Sequence, residues 1–272
     1  MAAATLSQSF ARWARLLTVP VLALVVWELL VRAGVLEQGL IPSPTSIASE
    51  WHTWIFGARG RMLNLYSGTW LGNIGFSASR VLQGFALGAS AGVVIGVLIG
   101  QNRWAASLLD PSIQLIRPIP ITAWLPISVA LFGLSAGSAL FLIALGAFFP
   151  VVINTVHGVR ETRRTLVRAA RMMGCSRARL VWRVVLPSAL PNIITGLRLG
   201  MGVAWVCIIV AEMIAVQSGL GYVLWDAYYF GRMEIVVADM ISIGLLGLLS
   251  DRIILLLSRP LLRWQTLEAH SG

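Results

Sequence analysis

The chain has 272 residues, of which 57% are hydrophobic and only 12% charged, with a formal net charge of +10. Soluble domains carry about 25% charged residues, so this composition excludes an ordinary soluble enzyme and indicates a polytopic membrane protein. Every basic residue is Arg, clustered beside apolar runs, which fits membrane topology and not nucleic-acid binding; lacking Lys, the chain can build neither a nucleotide hydrolase's phosphate-binding loop nor a Schiff base.

Arg12 and Arg15 lead into an apolar run at 16–31. No A-x-A-like cleavage site follows, and the run holds Trp27 and Glu28, so an uncleaved span near 16–32 is expected in place of a signal peptide. The stretch 41–55, IPSPTSIASEWHTWI, reads as an extended Pro segment entering a short amphipathic helix. Ser46 is its candidate cap, and its Trp residues suit a membrane interface. Further apolar runs of roughly 20 residues, the length that crosses a ~30 Å hydrocarbon core, lie near 78–100, 108–132, 138–157, 191–216 and 236–257. The run near 108–132 is broken by Pro111, Pro118, Pro120 and Pro126. The Gly- and aromatic-rich 217–233 is expected as a re-entrant or interfacial loop. Arg12, Arg15, Arg103, Arg259 and Arg263 fall on one side with the basic loop described below; Arg59, Arg61 and Arg232 fall on the other. The more basic side is the cytoplasm. The expectation is an all-α polytopic membrane protein with six transmembrane helices and both termini cytoplasmic.

Within the second span Gly84, Gly88, Gly92, Gly96 and Gly100 recur every four residues. They form one helix ridge that a second helix can approach closely, either as static packing or as a sliding contact. Gly196 and Gly200 repeat the device in the fifth span. Ionisable residues at membrane depth usually face protein or an aqueous path; Glu28, Arg80, Arg117, Arg198, Glu212, Asp239 and Asp251 are the candidates. Arg80, Arg117 and Asp251 fall near predicted span ends, where they would flank or snorkel. Arg198 falls about a turn inside the basic end and is also expected to snorkel. Glu212 lies well inside its span, as a buried partner for an Arg of another span or as part of a path or gate. In the broken third span Gln114, Thr122 and Trp124 either line a path or belong to a kinked helix.

Two stretches, Gly88–Gly92 and Gly133–Gly137, match the G-x-S-x-G nucleophile pattern with Ser90 and Ser135, and His157 is the candidate partner at depth. Small-residue packing is the competing explanation. Cys175 and Cys207 suggest no disulfide framework, and His52, His157 and His270 lack metal-ligand spacing.

The most informative segment is 160–187, with Arg160, Arg163, Arg164, Arg168, Arg171, Arg177, Arg179 and Arg183 opposed only by Glu161. Leu166, Ala169, Ala170 and Met173 recur at helical spacing, as do Leu180, Val181 and Val184 after Gly174. Two short helices joined at a glycine are expected, presented to the cytoplasm.

This segment resembles the cytoplasmic signature of permease subunits of bacterial ABC importers: Glu-Ala-Ala, three residues, Gly, nine residues, Ile, one residue, Leu-Pro. The matching positions are Arg168, Ala169, Ala170, Gly174, Val184, Leu186 and Pro187, with Arg168 in place of Glu and Val184 in place of Ile. The stretches 40–44, 109–111, 117–120, 123–126, 196–198 and 211–215 resemble the branch that serves nitrate, taurine and aliphatic sulfonates.

The resemblance implies a type I ABC importer permease fold in the bacterial inner membrane, working by alternating access. It implies cytoplasmic ATP-binding subunits, a periplasmic substrate-binding protein, a permease homodimer and surrounding lipid bilayer, with ATP-Mg held by the partner ATPase and no cofactor bound by this chain. The corresponding organisation is an N-terminal anchor helix and periplasmic amphipathic segment at 1–77, a permease core at 78–258 with a coupling loop at 160–187, and a cytoplasmic tail at 259–272. The candidate coupling residues are Leu166, Arg168, Ala169, Ala170, Met173, Gly174 and Arg177, with Ala169 and Ala170 as a small docking face. Candidate path or gate residues are Gln114, Trp124, Arg198 and Glu212. An ion-coupled carrier and an intramembrane serine hydrolase are the alternatives.

Overall fold

The computed structural model describes residues 18–36, 39–57 and 65–262. Their regular structure is helical, with no strand among the described residues. In chain order there are α1 (18–32), α2 (Pro44–Phe56), α3 (Trp70–Gln101) and α4 (Arg103–Ile116), then a 3-10 turn (Ile121–Trp124) leading into α5 (Leu125–Phe132). α6 (Ala136–Arg160), α7 (Arg164–Met172) and α8 (Arg177–Leu180) follow, and a π turn (Val181–Val185) leads into α9 (Leu186–Ala215). α10 (Leu220–Tyr229) and α11 (Met233–Ser258) complete the order.

Four helical stretches are long and apolar enough to cross a membrane: α3, α6, the 39-residue run Arg177–Ala215 and the run Met233–Leu262. α4 and the Ile121–Phe132 pair pass the same test together, bent by 94°. The bend falls at Pro118 and Pro120, neither of which can donate a backbone hydrogen bond; Arg117 is still helical, and the chain leaves helical geometry at Pro120, with φ −54° and ψ 133°. The first predicted span begins outside the described residues, and its described part, 18–32, is shorter than the ~20 residues of a crossing.

The chain forms two compact units. The first comprises 1–72 with 223–241. In it Glu28 accepts from Arg32 Nε at 2.6 Å and from Thr45 Oγ1 at 2.8 Å, tying α1 to the start of α2. The cap of α2 is Ser43, not Ser46: its extended backbone lets its side chain accept from the Ser46 N–H, and Pro44 follows as a preset first residue. Tyr66 Oη donates to Asp226 Oδ2 at 2.7 Å, and Arg232 Nη2 donates to Glu50 Oε2 at 3.0 Å. Asp239 is buried here. The segment expected as a re-entrant or interfacial loop is largely helical, as α10; Trp225, Tyr228 and Tyr229 lie at helical spacing and pack their rings together.

The second unit comprises 73–222 with 242–272, and α6 is its axis. The glycine ridge of α3 runs along α6 with both chains in the same direction: Gly84 faces Ile143, Gly92 faces Val151, Gly96 faces Thr155 and Gly100 faces Val159. A Cβ at Gly92 would lie 2.9 Å from Val151 Cβ, and one at Gly96 2.6 Å from Thr155 Cβ. α9 packs antiparallel on α6, again through glycine: Gly196 meets Pro150 and Asn154, Gly200 meets Ala147, and Gly158 of α6 meets Ala189 and Asn192. Because α3 and α6 run the same way, the chain between them must return the full height of the contact. It does so along α6: Arg160 pairs with Asp110 at 3.0 Å near its end, and Ser138 Oγ donates to Ser128 O near its start. The Pro-broken pair thus traverses the bundle.

Candidate functional site

The basic loop folds as two short helices around a glycine. α7 ends at Met172, Gly174 takes φ +75°, and the chain restarts at α8, capped by Ser176. The left-handed conformation is the turn that only glycine adopts without strain. α7 is not free-standing. Ala170 is 3% exposed and packs with Val159 of α6, Leu180 of α8, Val185 of the π turn, and Ala189 and Ile193 of α9. Ala170 therefore cannot belong to an outward docking face, as the small-residue reading of Ala169 and Ala170 requires; it is the contact that holds α7 to its own chain. The outward face is formed by Leu166, Arg168, Ala169, Met172 and Met173, all exposed. Met172 and Met173 are 90% and 78% exposed. Arg177 is also exposed, at the start of α8.

Glu212 sits in a sealed clamp at the opposite end of the bundle. It is fully buried and accepts from Ser77 Oγ at 2.8 Å, Arg80 Nη1 at 2.6 Å and the Gly221 N–H at 3.0 Å. Arg80 also donates to Ser218 O at 2.8 Å and Ser218 Oγ at 2.6 Å. The Leu220 N–H donates to Ser77 Oγ at 2.8 Å and the Gly219 N–H to Asn73 Oδ1 at 3.1 Å. A carboxylate deep in the protein is tolerable when its charge is paired and its lone pairs are satisfied, and here protein groups do both. Glu212 thus has the cross-span Arg partner anticipated for it. Arg80, expected as a flanking residue, is that partner; α3 starts earlier than its apolar run, at Trp70, which draws Arg80 inside.

A second ion pair joins α9 to α11. Arg198 donates through Nε to Asp251 Oδ1 at 2.6 Å and through Nη2 to Asp251 Oδ2 at 3.0 Å, a bidentate fork. Neither residue snorkels at an end. Arg198 lies between Gly196 and Gly200, which contact Pro150 and Ala147, and so is level with the middle of the 25-residue α6. The expectation of snorkelling starts the helix at Pro191, whereas it is continuous from Arg177. Unlike the Glu212 clamp, this pair is open: the Arg198 and Asp251 side chains are 41% and 34% exposed. Lipid solvates such a pair poorly, so an open ion pair level with the middle of an apolar helix is expected to adjoin protein or water.

Gln114 is exposed, on the rim of a hollow of about 190 Å³ that also includes Asp110, Ile113, Val156, His157 and Arg160. Trp124 is half-buried at the bend before α5. Thr122, in the same turn, lines a separate apolar recess with Leu142, Val203, Cys207 and Val210. Arg117 ends α4. None of these hydrogen bonds and recesses joins two of Gln114, Trp124, Arg198 and Glu212. Among the described residues, neither G-x-S-x-G serine is hydrogen-bonded to a base. Ser135 caps α6, donating to Phe132 O and accepting from the Gly137 N–H, while His157 lies near the other end of that helix. Ser90 donates to Ala86 O within its own helix.

Sequence reasoning does not reach Ser77, Ser218 or the partnership of Asp251 with Arg198. Isolated serines carry no pattern, and Asp251 is 53 positions from its Arg. The visible signal is charge balance at depth: each carboxylate in an apolar run needs a cation from another run.

Residues 92–263 match the family model described as binding-protein-dependent transport system inner membrane component. The chain is 39% identical over 245 residues to an Escherichia coli protein named for aliphatic sulfonates transport, the permease protein SsuC, covering 90% of this chain and 89% of that one. It is 36% identical over 246 residues to the bicarbonate transport system permease protein CmpB of Synechococcus elongatus, covering 88% of this chain and 86% of that one. Among solved structures, an inward-facing MetNI methionine ABC transporter chain aligns with a TM-score of 0.58 at 19% identity, over 70% of this chain and 96% of that one. That last likeness concerns the fold alone.

Proposed function

The chain belongs to the binding-protein-dependent transport system inner membrane components, the permeases of ABC importers, and from that premise we propose that it carries a small oxyanion across the bacterial inner membrane. Its relatives' names point to sulfonates or bicarbonate, with nitrate and taurine as further members of the same chemical class. In this reading α7 docks on a cytoplasmic ATP-binding subunit, a periplasmic binding protein delivers the substrate, and two copies of the chain enclose the path. The described spans are completed by an N-terminal one to give six crossings, with both termini in the cytoplasm.

The observation that carries the coupling reading is the attachment of α7. Its outer face is basic and methionine-rich, while Ala170 is buried against the root of α9. Helix then runs unbroken from Arg177 to Ala215. A partner that moves α7 therefore displaces a rigid element reaching the opposite end of the bundle. Leu166, Arg168, Ala169, Met173 and Arg177 make the contact, with Gly174 and Ala170 fixing its geometry. Bond chemistry belongs to the partner, which holds ATP-Mg.

The test is purification of the tagged chain with its cognate subunits, followed by reconstitution in liposomes. An ATPase subunit should co-purify in equal amount, and uptake should need ATP enclosed in the vesicle, on the α7 side of the molecules that import inward; ATP added outside should not substitute. Uptake that proceeds without any ATPase subunit would overturn the reading.

A further inference from the structure

We propose that the Arg198 guanidinium is the oxyanion-binding group of the path, and that Asp251 is a built-in competitor that occupies it when no substrate is present. The inference rests on the transport reading above and adds the residue pair that recognises the substrate.

Three observations lead to it. The pair is bidentate, through Nε and Nη2 to the two carboxylate oxygens. This is the geometry in which a guanidinium grips any planar or tetrahedral X–O⁻ group with two oxygens available, sulfonate and bicarbonate included. Asp251 thus presents to Arg198 what such a substrate would present.

The pair also lies level with the middle of α6, and its face is open. On α9 the positions three before and four after Arg198, Thr195 and Gly202, lie on its own side of the helix. Both are exposed, and a Cβ at Gly202 would meet nothing within 4 Å. An oxyanion can therefore reach Arg198 from the side not packed on α6.

Finally, the contrast with Arg80 is sharp. That guanidinium is also paired with a carboxylate, but its partner is fully buried and the remaining contacts are made by Ser218. Nothing can displace Glu212 without dismantling the clamp, whereas Asp251 can swing off Arg198 into the open face. Two ion pairs of like chemistry in one unit differ in the one property, access, that an exchangeable site requires.

Exchange has a mechanical consequence. With Asp251 on Arg198, α9 and α11 are joined at mid-height, an attachment that Trp205 Nε1 to Ser250 Oγ at 3.1 Å reinforces. An oxyanion on Arg198 releases Asp251 and removes the charged part of that attachment, leaving the neutral Trp205–Ser250 hydrogen bond in place. Substrate arrival thereby loosens α11 from the helix that α7 drives.

The test uses the assembled importer in liposomes with two labelled probes, methanesulfonate and bicarbonate, and the variants Arg198→Lys, Asp251→Asn and the charge swap Arg198→Asp/Asp251→Arg. Removing the competitor should lower the apparent KM for the transported probe, by about threefold or more in Asp251→Asn. Losing the planar fork should raise it by roughly tenfold in Arg198→Lys. The swap, which keeps an ion pair but moves the cation to α11, should not restore uptake. The two single variants shifting KM in the same direction, or the swap restoring uptake, would show a structural pair and overturn the assignment. Wild-type uptake of neither probe also overturns it, even where an ATPase subunit co-purifies; failure of the ATPase to associate sinks the transport reading itself.

Discussion

Adding one methyl group to the α3 ridge tests whether its glycines are packing elements or lipid-facing bystanders. In Gly96→Ala the new Cβ would stand 2.6 Å from Thr155 Cβ and 3.0 Å from Val152 O; in Gly92→Ala it would stand 2.9 Å from Val151 Cβ and 3.1 Å from Phe148 O. Carbon atoms rest at about 3.5–4.0 Å, so α3 must back away by roughly 1 Å. The neighbouring contacts along the ridge, at Gly88 and Gly100, open with it. A radial gap of that size forfeits a quarter to a half of each contact's attraction, and forced insertion of one carbon costs about 1–3 kcal/mol. Alanine's helix-propensity advantage over glycine, up to ~1 kcal/mol in water, is smaller than this and shrinks further when the unfolded reference is already helical in the membrane. The net effect should be destabilisation by about 2 kcal/mol, or a fall in melting temperature of roughly 4–8 °C at ~2–4 °C per kcal/mol. Thermal denaturation in detergent, followed by loss of the monodisperse gel-filtration peak, measures it. Gly202→Ala is the matched control, because nothing lies within 4 Å of its added carbon. If Gly96→Ala melts at or above the wild-type temperature, or if Gly202→Ala falls as far as the ridge variants, the packing argument is wrong.

The remaining predictions concern the clamp and the coupling loop. Glu212→Ala leaves Arg80 buried beside Ser218 with its charge unmatched, a loss of roughly 3–5 kcal/mol; thermal melts should show Arg80→Met/Glu212→Met less damaged than Glu212→Ala alone, and equal damage would deny the pair its role. Ala169→Trp, on the exposed face of α7, should abolish co-purification of the ATPase subunit while leaving the melting temperature unchanged. Ala170→Trp should lower that temperature, because the position is 3% exposed and has no room; identical behaviour of the two variants would refute the assignment of faces. Gly174→Val forces a β-branched residue into φ +75°, costing about 1–2 kcal/mol, and should reduce substrate moved per ATP hydrolysed, with Gly174→Asn milder. An unchanged ratio in Gly174→Val would show that the turn does not transmit force.

Legibility in the sequence follows locality. Gly174 between two amphipathic stretches reports its own φ, and a four-residue glycine repeat reports its own face, so the residues alone disclose both features. What α3 packs against is not disclosed, because Gly92 and Val151 are joined only by the fold. The same limit explains the charged residues. Arg80 and Asp251 look like end-flanking groups because apolar runs locate spans only to within a turn or two; the helices extend beyond those runs, and a shift of one turn carries an Arg from interface to interior. Ala170 reads as outward because a small residue on an amphipathic helix fits a docking face and a tight internal contact equally well. Only the positions of Val185, Ala189 and Ile193 decide between them.

The arrangement also limits how the bundle can move. α6 and α9 interlock through glycines on both partners, Gly146 and Gly158 on one, Gly196 and Gly200 on the other, with larger side chains seated against each, so they move as one body. α3 meets that body through a ridge of hydrogens, which resists separation little and translation less. At one end, however, α3 is bound to α9 through Ser77 and Arg80 on Glu212, and a sealed ion pair does not slide. Relative motion of α3 against α6 and α9 is then a pivot about that clamp, smallest beside Gly84 and largest beside Gly100, where Val159 shares its contacts with Ala170. α7, the proposed coupling helix, is therefore attached where that lever arm is longest, so in the proposed mechanism a force applied to α7 would be turned into rotation at the end farthest from the clamp.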